Sequence, residues 1–247
     1  RDRTSPSIFV RFEMTSKPAG LENFDGPVDF IIWTTTPWTI PSDQAVSLKP
    51  GAAYVAVEHD GRAEVMLEDL ALRCCEEFGW EYTPVLVDGK PYVVPAETFH
   101  HIHYKQPIFD GVEGVALLAD YVGVDDGTGI VHNSPGHGVD DYFACLKEGI
   151  TDICMPVDDD GKFYTGEEFG TGGPFSGMDT DEANPHIIEF LRERGTLVLE
   201  KKITHSYPHC WRCKHPVLFR ATDQWFVSMD KTGLREQAGK EVRENVK

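Results

Sequence analysis

The sequence has little positive charge. Its 247 residues include 23 Lys and Arg against 41 Asp and Glu, which gives a formal net charge of −18. Proteins that hold long stretches of nucleic acid neutralise phosphates with clustered cations, so this balance argues against a general nucleic-acid binder. If the chain does meet nucleic acid, its charge favours a narrow contact, such as one with a single-stranded end.

The sequence also lacks long apolar runs and an initiator methionine. No apolar run approaches the roughly 20 residues of a membrane-spanning helix, and the first residues resemble neither a signal nor a transit peptide. We therefore expect a cytoplasmic protein with no membrane partner, and we expect this chain to be a piece of a longer one. Six cysteines include the adjacent Cys74 and Cys75, a poor basis for disulfides, so reduced thiols are expected.

Short strand patterns outnumber helical ones. Apolar runs and alternations predict strands at 7–13, 29–33, 54–57, 63–67, 112–119, 129–132 and 196–204. Asp60-Gly61 and Asp88-Gly89 predict hairpin turns. Helices are predicted over 68–78, over 140–147, from an Asn cap at Asn184-Pro185, and near the C-terminus. The pattern predicts an α+β fold built on a curved or closed, mostly antiparallel, barrel-like sheet with flanking helices.

The composition of the sequence changes near residue 205, where aromatic, cysteine and basic residues become frequent. We therefore predict a main domain over residues 1–205. Residues 206–247 are predicted to be an appended segment that ends in an exposed helix.

The stretch WTTTPWTIPSDQA at 33–45 places three hydroxyls, those of Thr34, Thr35 and Thr36, at the end of an apolar strand. A threonine hydroxyl at its ordinary pKa is a weak nucleophile. It does donate and accept hydrogen bonds, and β-branching holds it stiffly. The stretch therefore favours orientation of a ligand over covalent catalysis.

A second unusual stretch, GTGIVHNSPGHGVDDY, occupies 127–142. A strand delivers His132, a Pro-Gly loop with Gly136 and His137 follows, and Asp141 lies at the start of a helix. Glycine lets a ligand approach the backbone closely, and free amides at a helix start favour negative or polar groups. Each part alone also has a structural interpretation, since Asp in a first helical turn complements the helix dipole.

Two metal hypotheses arise from the histidines and cysteines. Histidines and aspartates of the second stretch, with His100, His101 and His103 elsewhere, could supply ligands for a hydrolytic zinc ion, although their spacing matches no motif with a clear mechanism. Cys210-Trp-Arg-Cys213 has ligand spacing, but a structural zinc site normally needs four ligands. These two thiols therefore supply half of the ligands of a structural zinc site, and we call them the half site.

WTTTPWT, followed about ninety residues later by GTGIVHNSPGHGVDDY, resembles the editing domain of isoleucyl-tRNA synthetases, the connective peptide 1 (CP1) insertion of a class I synthetase. The opening DRTSPSI and the closing SYPHCWRCKHPVLFRATDQWFVSMD resemble sequence that flanks this insertion. Valyl and leucyl relatives typically carry TTRP and PAHD-like sequence instead, which favours the isoleucyl family. The synthetic-site signatures HIGH and KMSKS are not found in the sequence, so ligase activity is not expected from this chain.

The resemblance implies an aminoacyl-tRNA deacylase. Valine differs from isoleucine by one methylene, which a pocket rejects only weakly, so a second, smaller site hydrolyses the misacylated product. By resemblance, Thr35 and Thr36 face the terminal adenosine and the aminoacyl group, and Asp141 holds the α-ammonium group. His132 limits the size of the side-chain pocket. Thr34, Gly136 and His137 are expected to assist substrate binding.

Asp43 departs from the family pattern, which usually has Asn there. An Asn amide can donate a hydrogen bond, whereas an ionised Asp can only accept one, from the ribose or from a water molecule. The resemblance implies no cofactor for editing. It places the partner cysteine pair of Cys210 and Cys213 before the segment at Arg1, so zinc could bind at this half site only in the full-length enzyme.

The expected partners are the 3′ end of tRNA(Ile) carrying valine, valyl-adenylate, and the rest of the synthetase in cis. The chain is expected to be a monomer that, on its own, binds tRNA weakly and deacylates it slowly. Two alternatives stay open at this stage. One is a non-catalytic module that binds the tRNA end, with editing lost through Asp43 or other changes, and the other is a metal-dependent hydrolase.

Overall fold

The computed structural model describes residues 1–246 of the chain. In this range twelve strands and four α-helices follow one another. The strands are β1 (Asp2–Glu13), β2 (Val28–Thr34), β3 (Ala45–Leu48), β4 (Ala53–His59), β5 (Arg62–Leu67), β6 (Leu86–Val87), β7 (Lys90–Pro91), β8 (Val93–Pro95), β9 (His103–Lys105), β10 (Glu113–Leu118), β11 (Ile130–Asn133) and β12 (Leu197–Ser206). The helices are α1 (Glu68–Phe78), α2 (Val139–Lys147), α3 (Thr180–Glu193) and α4 (Leu234–Asn245), with 3₁₀ helices at Pro37–Ser42, Ala96–Phe99 and Gly173–Phe175.

The strands form two main sheets and one short hairpin. The larger sheet has the order β12-β1-β2-β5-β4-β8, the smaller has the order β11-β3-β10-β9, and β6 pairs with β7 alone. Only the β2–β5 and β3–β10 pairs are parallel among the described strand pairs. The predicted α+β class with mostly antiparallel pairing is confirmed. The sheet is not one closed barrel, since the strands divide between separate open sheets.

Aromatic side chains fill the core between these sheets. Phe12 and Phe30 come from the larger sheet, Tyr104 comes from β9 of the smaller one, and all three are fully buried. The Phe12 and Tyr104 ring centroids lie 5.2 Å apart, and those of Phe30 and Tyr104 lie 6.2 Å apart. Because such rings each bury a large apolar area, this cluster fixes the two sheets against each other.

The sequence prediction of a helix start at Asn184-Pro185 is wrong. Helix α3 begins one turn earlier, where Asp179 Oδ1 accepts a hydrogen bond of 2.9 Å from the backbone N–H of Asp181. Pro185 therefore lies inside the helix, where it leaves one backbone carbonyl without its usual donor. Asn184 instead points out of the helix, and its Oδ1 accepts from the N–H of Trp38 at 3.0 Å.

The topology brings the two unusual stretches together. β2 of the larger sheet ends at Thr34, and β11 at the edge of the smaller sheet carries His132; these two strands lie against each other. The predicted boundary near residue 205 falls at the end of β12 and stays a prediction, and Lys247 lies outside the described residues. Among residues 1–246, no helix is long and apolar enough to cross a bilayer.

Candidate functional site

A cavity of about 410 Å³ opens where the ends of β2 and β11 meet. Its volume is in the range of sites that hold small organic ligands. Both unusual stretches line it, together with aromatic residues from the C-terminal part of the chain. The lining residues are Trp33, Thr34, Thr35, Thr36, Trp38, Thr39, Val131, His132, Ser134, His137, Asp141, Tyr207 and Phe219.

The threonine loop is held by its own hydroxyls. Thr34 Oγ1 accepts from the backbone N–H of Thr36 at 3.0 Å. The hydroxyl of Thr39, one turn into the following 3₁₀ helix, donates to the carbonyl oxygen of Thr36 at 2.8 Å. Asn184 caps the same helix through the N–H of Trp38. The loop is thus fixed from both sides, and Thr35 and Thr36 remain partly exposed at the cavity wall.

His132 belongs to a buried chain of polar side chains. Its Nε2 lies 3.0 Å from Thr39 Oγ1, and its Nδ1 lies 3.3 Å from Asp43 Oδ1. The hydroxyl of Tyr104 donates to the other carboxylate oxygen of Asp43. Tyr104 is fully buried and Asp43 is 1% exposed, so Asp43 does not line the cavity and reaches it only through His132.

The geometry of this row of side chains sets the direction of its hydrogen bonds. The Thr39 hydroxyl proton is directed at the Thr36 carbonyl, so Thr39 presents a lone pair to His132 Nε2. His132 Nε2 therefore donates to Thr39 Oγ1, while Nδ1 faces Asp43 Oδ1. Burial raises the pKa of the Asp43 carboxyl, while His132 and the Tyr104 hydroxyl oppose that rise. With both nitrogens engaged, His132 serves as a fixed wall of the cavity.

Asp141 is a carboxylate held in place at the cavity rim. Its Oδ2 accepts from the backbone N–H of Ser134 at 3.0 Å, and its Oδ1 accepts from the hydroxyl of Tyr121 at 3.2 Å. Burial raises the pKa of the Asp141 carboxyl, whereas the charge of His132 and these two donors favour the ionised form. The neighbouring Asp140 is exposed in the same helical turn and does not line the cavity.

His137 has one free nitrogen at the cavity wall. Its Nδ1 donates to the carbonyl oxygen of Phe219 at 2.9 Å, and its ring packs edge-on against Trp38 with centroids 4.7 Å apart. Its Nε2 is buried and has no hydrogen-bond partner among residues 1–246. Burial lowers the pKa of His137 to about 4. The ring is therefore neutral near pH 7, and its buried Nε2 is an acceptor without a partner among residues 1–246.

The glycines of the Pro-Gly loop allow close packing within the protein, and the expected role of Gly136 in substrate binding stays a prediction. A Cβ at Gly136 would lie 2.4 Å from the carbonyl oxygen of Cys154, and one at Gly138 would lie 2.5 Å from Asp141 Oδ2. The space that glycine leaves is occupied by the protein itself. Gly136 lets the loop pack closely on the segment at Cys154, and Gly138 makes room for the Asp141 carboxylate.

The half site at Cys210 and Cys213 lies in an exposed turn outside the cavity. Backbone amides of Cys213 and Arg212 lower the pKa of the Cys210 thiol. Within residues 1–246, no third His, Cys, Asp or Glu ligand atom joins this pair. The residues present therefore supply two of the four ligands that a structural zinc site requires.

Several cavity residues gave no signal in the sequence. Thr39 and Ser134 are ordinary polar residues within the two motifs, while Tyr207 and Phe219 come from the segment after β12. Nothing in their local pattern marks them, because they reach the cavity only through the tertiary path of the chain. The C-terminal segment thus forms part of the wall.

Comparisons with known proteins place this geometry in context. The chain is 45% identical over 248 residues to isoleucine–tRNA ligase of Nitratidesulfovibrio vulgaris (strain DSM 19637 / Miyazaki F), an alignment that covers 100% of this chain and 25% of that relative. It is 43% identical over 252 residues to isoleucine–tRNA ligase of Desulfovibrio desulfuricans, again over 100% of this chain and 25% of the relative. The chain therefore spans about a quarter of the length of these relatives. No family model matches it.

The fold resembles solved editing domains. The structure of GlLeuRS-CP1 superposes with a TM-score of 0.59 at 12% identity, over 79% of this chain and 99% of that one. The editing domain of cytosolic leucyl-tRNA synthetase from P. falciparum gives a TM-score of 0.57 at 12% identity, over 79% and 98%. At that identity the likeness concerns the fold. The sequence likeness is therefore to isoleucine–tRNA ligases, and the fold is that of synthetase editing domains.

Proposed function

We propose that this chain, a homologue of one quarter of isoleucine–tRNA ligase with an editing-domain fold, hydrolyses valine from misacylated tRNA(Ile). The observation that carries the proposal is the Asp141 carboxylate, fixed by Ser134 and Tyr121 at the rim of a cavity whose other wall is the threonine loop. An aminoacyl ester presents a cationic ammonium group beside a reactive carbonyl. Asp141 and the threonines are the matching groups.

The chemistry requires no nucleophile from the protein. An aminoacyl ester is already activated, so a water molecule can attack its carbonyl carbon, and the tRNA hydroxyl leaves with a proton. The chain then has to orient the ester and to stabilise the charge that develops on the carbonyl oxygen. Asp141 binds the α-ammonium group, the Thr35 and Thr36 hydroxyls bind the ribose and aminoacyl oxygens, and His137 Nε2 accepts from a substrate hydroxyl or from water.

Selectivity for valine follows from the fixed position of His132. Both nitrogens of this ring are engaged, by Asp43 on one side and Thr39 on the other, so the ring cannot swing aside for a larger side chain. A steric clash excludes isoleucine because of its extra methylene. Attractive contacts in a pocket distinguish valine from isoleucine only weakly. We propose valyl-adenylate as a second substrate, because it presents the same aminoacyl group.

The rest of the synthetase acts in cis in this proposal. The chain spans about a quarter of its relatives, and its net charge is −18. We propose that the chain holds only the tRNA 3′ end, while the remainder of the enzyme holds the tRNA body. Editing needs no cofactor in this mechanism.

The test is hydrolysis of Val-tRNA(Ile), measured with Ile-tRNA(Ile) as the correctly charged control. The 247-residue chain, Asp141→Asn and Asp140→Asn are compared, with a full-length isoleucine–tRNA ligase as the benchmark. Asp140 is the matched control, because it is exposed one position away in the same helical turn. We expect Val-tRNA(Ile) to be hydrolysed by the chain and by Asp140→Asn, and the rate to fall by about 100-fold or more in Asp141→Asn.

Two outcomes favour the alternative functions. If the chain and Asp141→Asn are equally inactive where the full-length enzyme edits, the chain is a non-catalytic module that binds the tRNA end. If a chelator abolishes hydrolysis and zinc restores it, the chain is a metal-dependent hydrolase.

A further inference from the structure

Three side chains converge on one point away from the cavity. His101 Nε2 lies 3.1 Å from Glu148 Oε2, and His100 Nε2 lies 3.4 Å from the same oxygen. The three ligand atoms lie within 4.8 Å of one another, and within residues 1–246 no other three His, Cys, Asp or Glu residues meet that criterion. None of the three lines the cavity of the proposed editing site.

The separations between these atoms suit a metal ion. Zinc takes His nitrogens at about 2.0–2.1 Å and carboxylate oxygens at about 2.0–2.2 Å in a tetrahedron, which sets neighbouring ligand atoms about 3.4 Å apart. Both nitrogen-to-oxygen separations are close to that value. The two imidazole rings lie side by side, with centroids 3.8 Å apart and planes inclined by 33°.

Hydrogen bonding alone leaves one of these atoms unsatisfied. His101 makes a hydrogen bond with Glu148 at 3.1 Å, but His100 Nε2 is buried and has no hydrogen-bond partner among residues 1–246. A buried polar atom without a partner costs free energy comparable to a lost hydrogen bond. A metal ion at this point would satisfy His100 Nε2 and would replace the hydrogen bond between His101 and Glu148.

The backbone holds His101 in a costly conformation. His101 has φ of +65°, one of four positive values at non-glycine residues of the described chain. Side chains other than glycine adopt this region at a cost, and strain of this kind accumulates at functional sites. The backbone N–H of His101 donates to Ala116 at 2.8 Å, and that of Ile102 donates to Phe99 at 3.0 Å, so the turn is fixed with both rings on one side.

We propose that His100, His101 and Glu148 form a binding site for a divalent transition-metal ion of the zinc type, with water completing the coordination. Imidazole nitrogens with one carboxylate suit zinc and its neighbours better than calcium or magnesium, which prefer oxygen. The ion joins the turn before β9 to the end of α2, since Glu148 directly follows that helix. The site stabilises the fold and takes no part in hydrolysis.

The test is a titration of the 247-residue chain with Zn²⁺ alone. It uses a Cys210→Ser/Cys213→Ser background, so that the thiols of the half site cannot compete for the ion. Binding is followed by calorimetry, and thermal unfolding is recorded with and without Zn²⁺. We expect one saturable site per chain and a higher thermal midpoint with Zn²⁺, because an ion that binds only the folded state stabilises it.

Two ligand variants in that background, with one control, test the ligand set. His101→Gly and Glu148→Gln each remove one ligand, and both should weaken Zn²⁺ binding on the order of tenfold or more and reduce the rise in thermal midpoint. Without metal, His101→Gly should unfold at the same temperature as its parent or higher, since glycine favours a positive φ. That result separates loss of a ligand from loss of the fold.

The matched control is His103→Ala. His103 is an exposed histidine two positions along, and its Nδ1 lies 3.6 Å from Glu113 Oε2 in a simple surface pair. The His103→Ala variant should bind Zn²⁺ as tightly as its parent does. The proposal is overturned if no saturable site is found, if His101→Gly binds as tightly as its parent, or if His103→Ala loses as much affinity as His101→Gly.

Discussion

Single residues at the cavity depend on partners that lie behind them. Asp43 does not touch the cavity, yet it holds His132 Nδ1 at 3.3 Å and accepts a hydrogen bond from Tyr104. An Asn here could accept from Tyr104 and donate to His132, so either residue can keep the ring in place. Asp and Asn at this position therefore differ in charge, while either residue can hold the His132 ring at the cavity wall.

Substitutions at Asp43 should change stability through its two buried hydrogen bonds. Asp43→Leu leaves the Tyr104 hydroxyl and His132 Nδ1 buried without partners, which should cost about 2–4 kcal/mol in free energy of unfolding. Asp43→Asn keeps both bonds and should cost less than about 1 kcal/mol. Urea unfolding of the two variants measures the difference, with Tyr104→Phe as a control that removes only one bond. Equal losses in Asp43→Leu and Asp43→Asn would show that the buried bonds do not hold the residue.

His137 should make stability depend on pH. Its pKa is lowered from 6.5 to about 4 in the folded chain, so the unfolded chain takes up the proton first as pH falls. The stability that this neutral histidine contributes is complete above about pH 6.5 and is lost towards pH 4, a change of about 3 kcal/mol. His137→Asn keeps a donor for the Phe219 carbonyl and removes the titration.

The measurement is urea unfolding of both proteins near pH 7 and near pH 4. The buried carboxyls of Asp43 and Asp141 titrate in both proteins, so they cancel when His137→Asn is compared with the parent. We expect the variant to gain about 3 kcal/mol relative to the parent over that range. A constant difference between the two proteins would mean that the pKa of His137 is not lowered in the folded chain.

Residue types and motifs in the sequence were enough to predict which stretches form the cavity, but not how its side chains are bonded. Thr34, Thr35, Thr36, His132 and Asp141 all line it, and the roles towards a substrate that the resemblance implies for them stay predictions. The position of Asp43 behind the ring could not be predicted, because its partner Tyr104 lies on β9, which gave no strand signal. His137 Nε2 is left as an acceptor because Nδ1 donates to the Phe219 carbonyl, which is another long-range contact.

At the scale of elements, helix α3 supports the threonine loop from outside. Asn184 is 8% exposed, and its Oδ1 accepts from the N–H of Trp38, near the start of the 3₁₀ helix that follows the loop. The N–H groups at the start of a helix have no partner within it, so this side chain acts as a cap delivered from another element. The position of the loop therefore depends on the docking of α3.

We expect Asn184→Ala to destabilise the chain by about 1–2 kcal/mol and to slow deacylation, since the cap is lost and the loop is less well fixed. Asn184→Asp keeps an acceptor of the same shape and is the matched control. Thermal unfolding and Val-tRNA(Ile) hydrolysis are both measured. If Asn184→Ala lowers stability but leaves the hydrolysis rate unchanged, α3 contributes to the fold and has no role in positioning the loop.

Local signals predicted some elements well and others poorly. Helix α1 has the predicted bounds, and the turns at Asp60-Gly61 and Asp88-Gly89 have the positive φ values that their residues favour. The sequence predicts the start of α3 one turn too late, because Asn-Pro is a common helix opening, whereas the Asp179 side chain makes the actual cap. The split into open sheets follows from long-range pairings such as β2 with β5, which no local pattern reveals.

At the scale of the whole molecule, net charge limits what the chain can do alone. With a net charge of −18, it repels phosphates, and its cavity of about 410 Å³ is of a size for a small organic group and not for a nucleic-acid helix. We therefore predict that the 247-residue chain binds tRNA(Ile) much more weakly than a full-length isoleucine–tRNA ligase. Its affinity should also respond weakly to salt, because few phosphates are neutralised.

Titration of labelled tRNA(Ile) at several salt concentrations tests both parts. Contact with about three phosphates of a single-stranded end gives a slope near −2 for the logarithm of affinity against the logarithm of salt concentration, since each contact contributes about −0.7. A full-length enzyme that grips the tRNA body should show a steeper slope. Equal affinities and equal slopes would mean that this acidic chain carries the main tRNA contact itself, and the division of labour proposed here would be wrong.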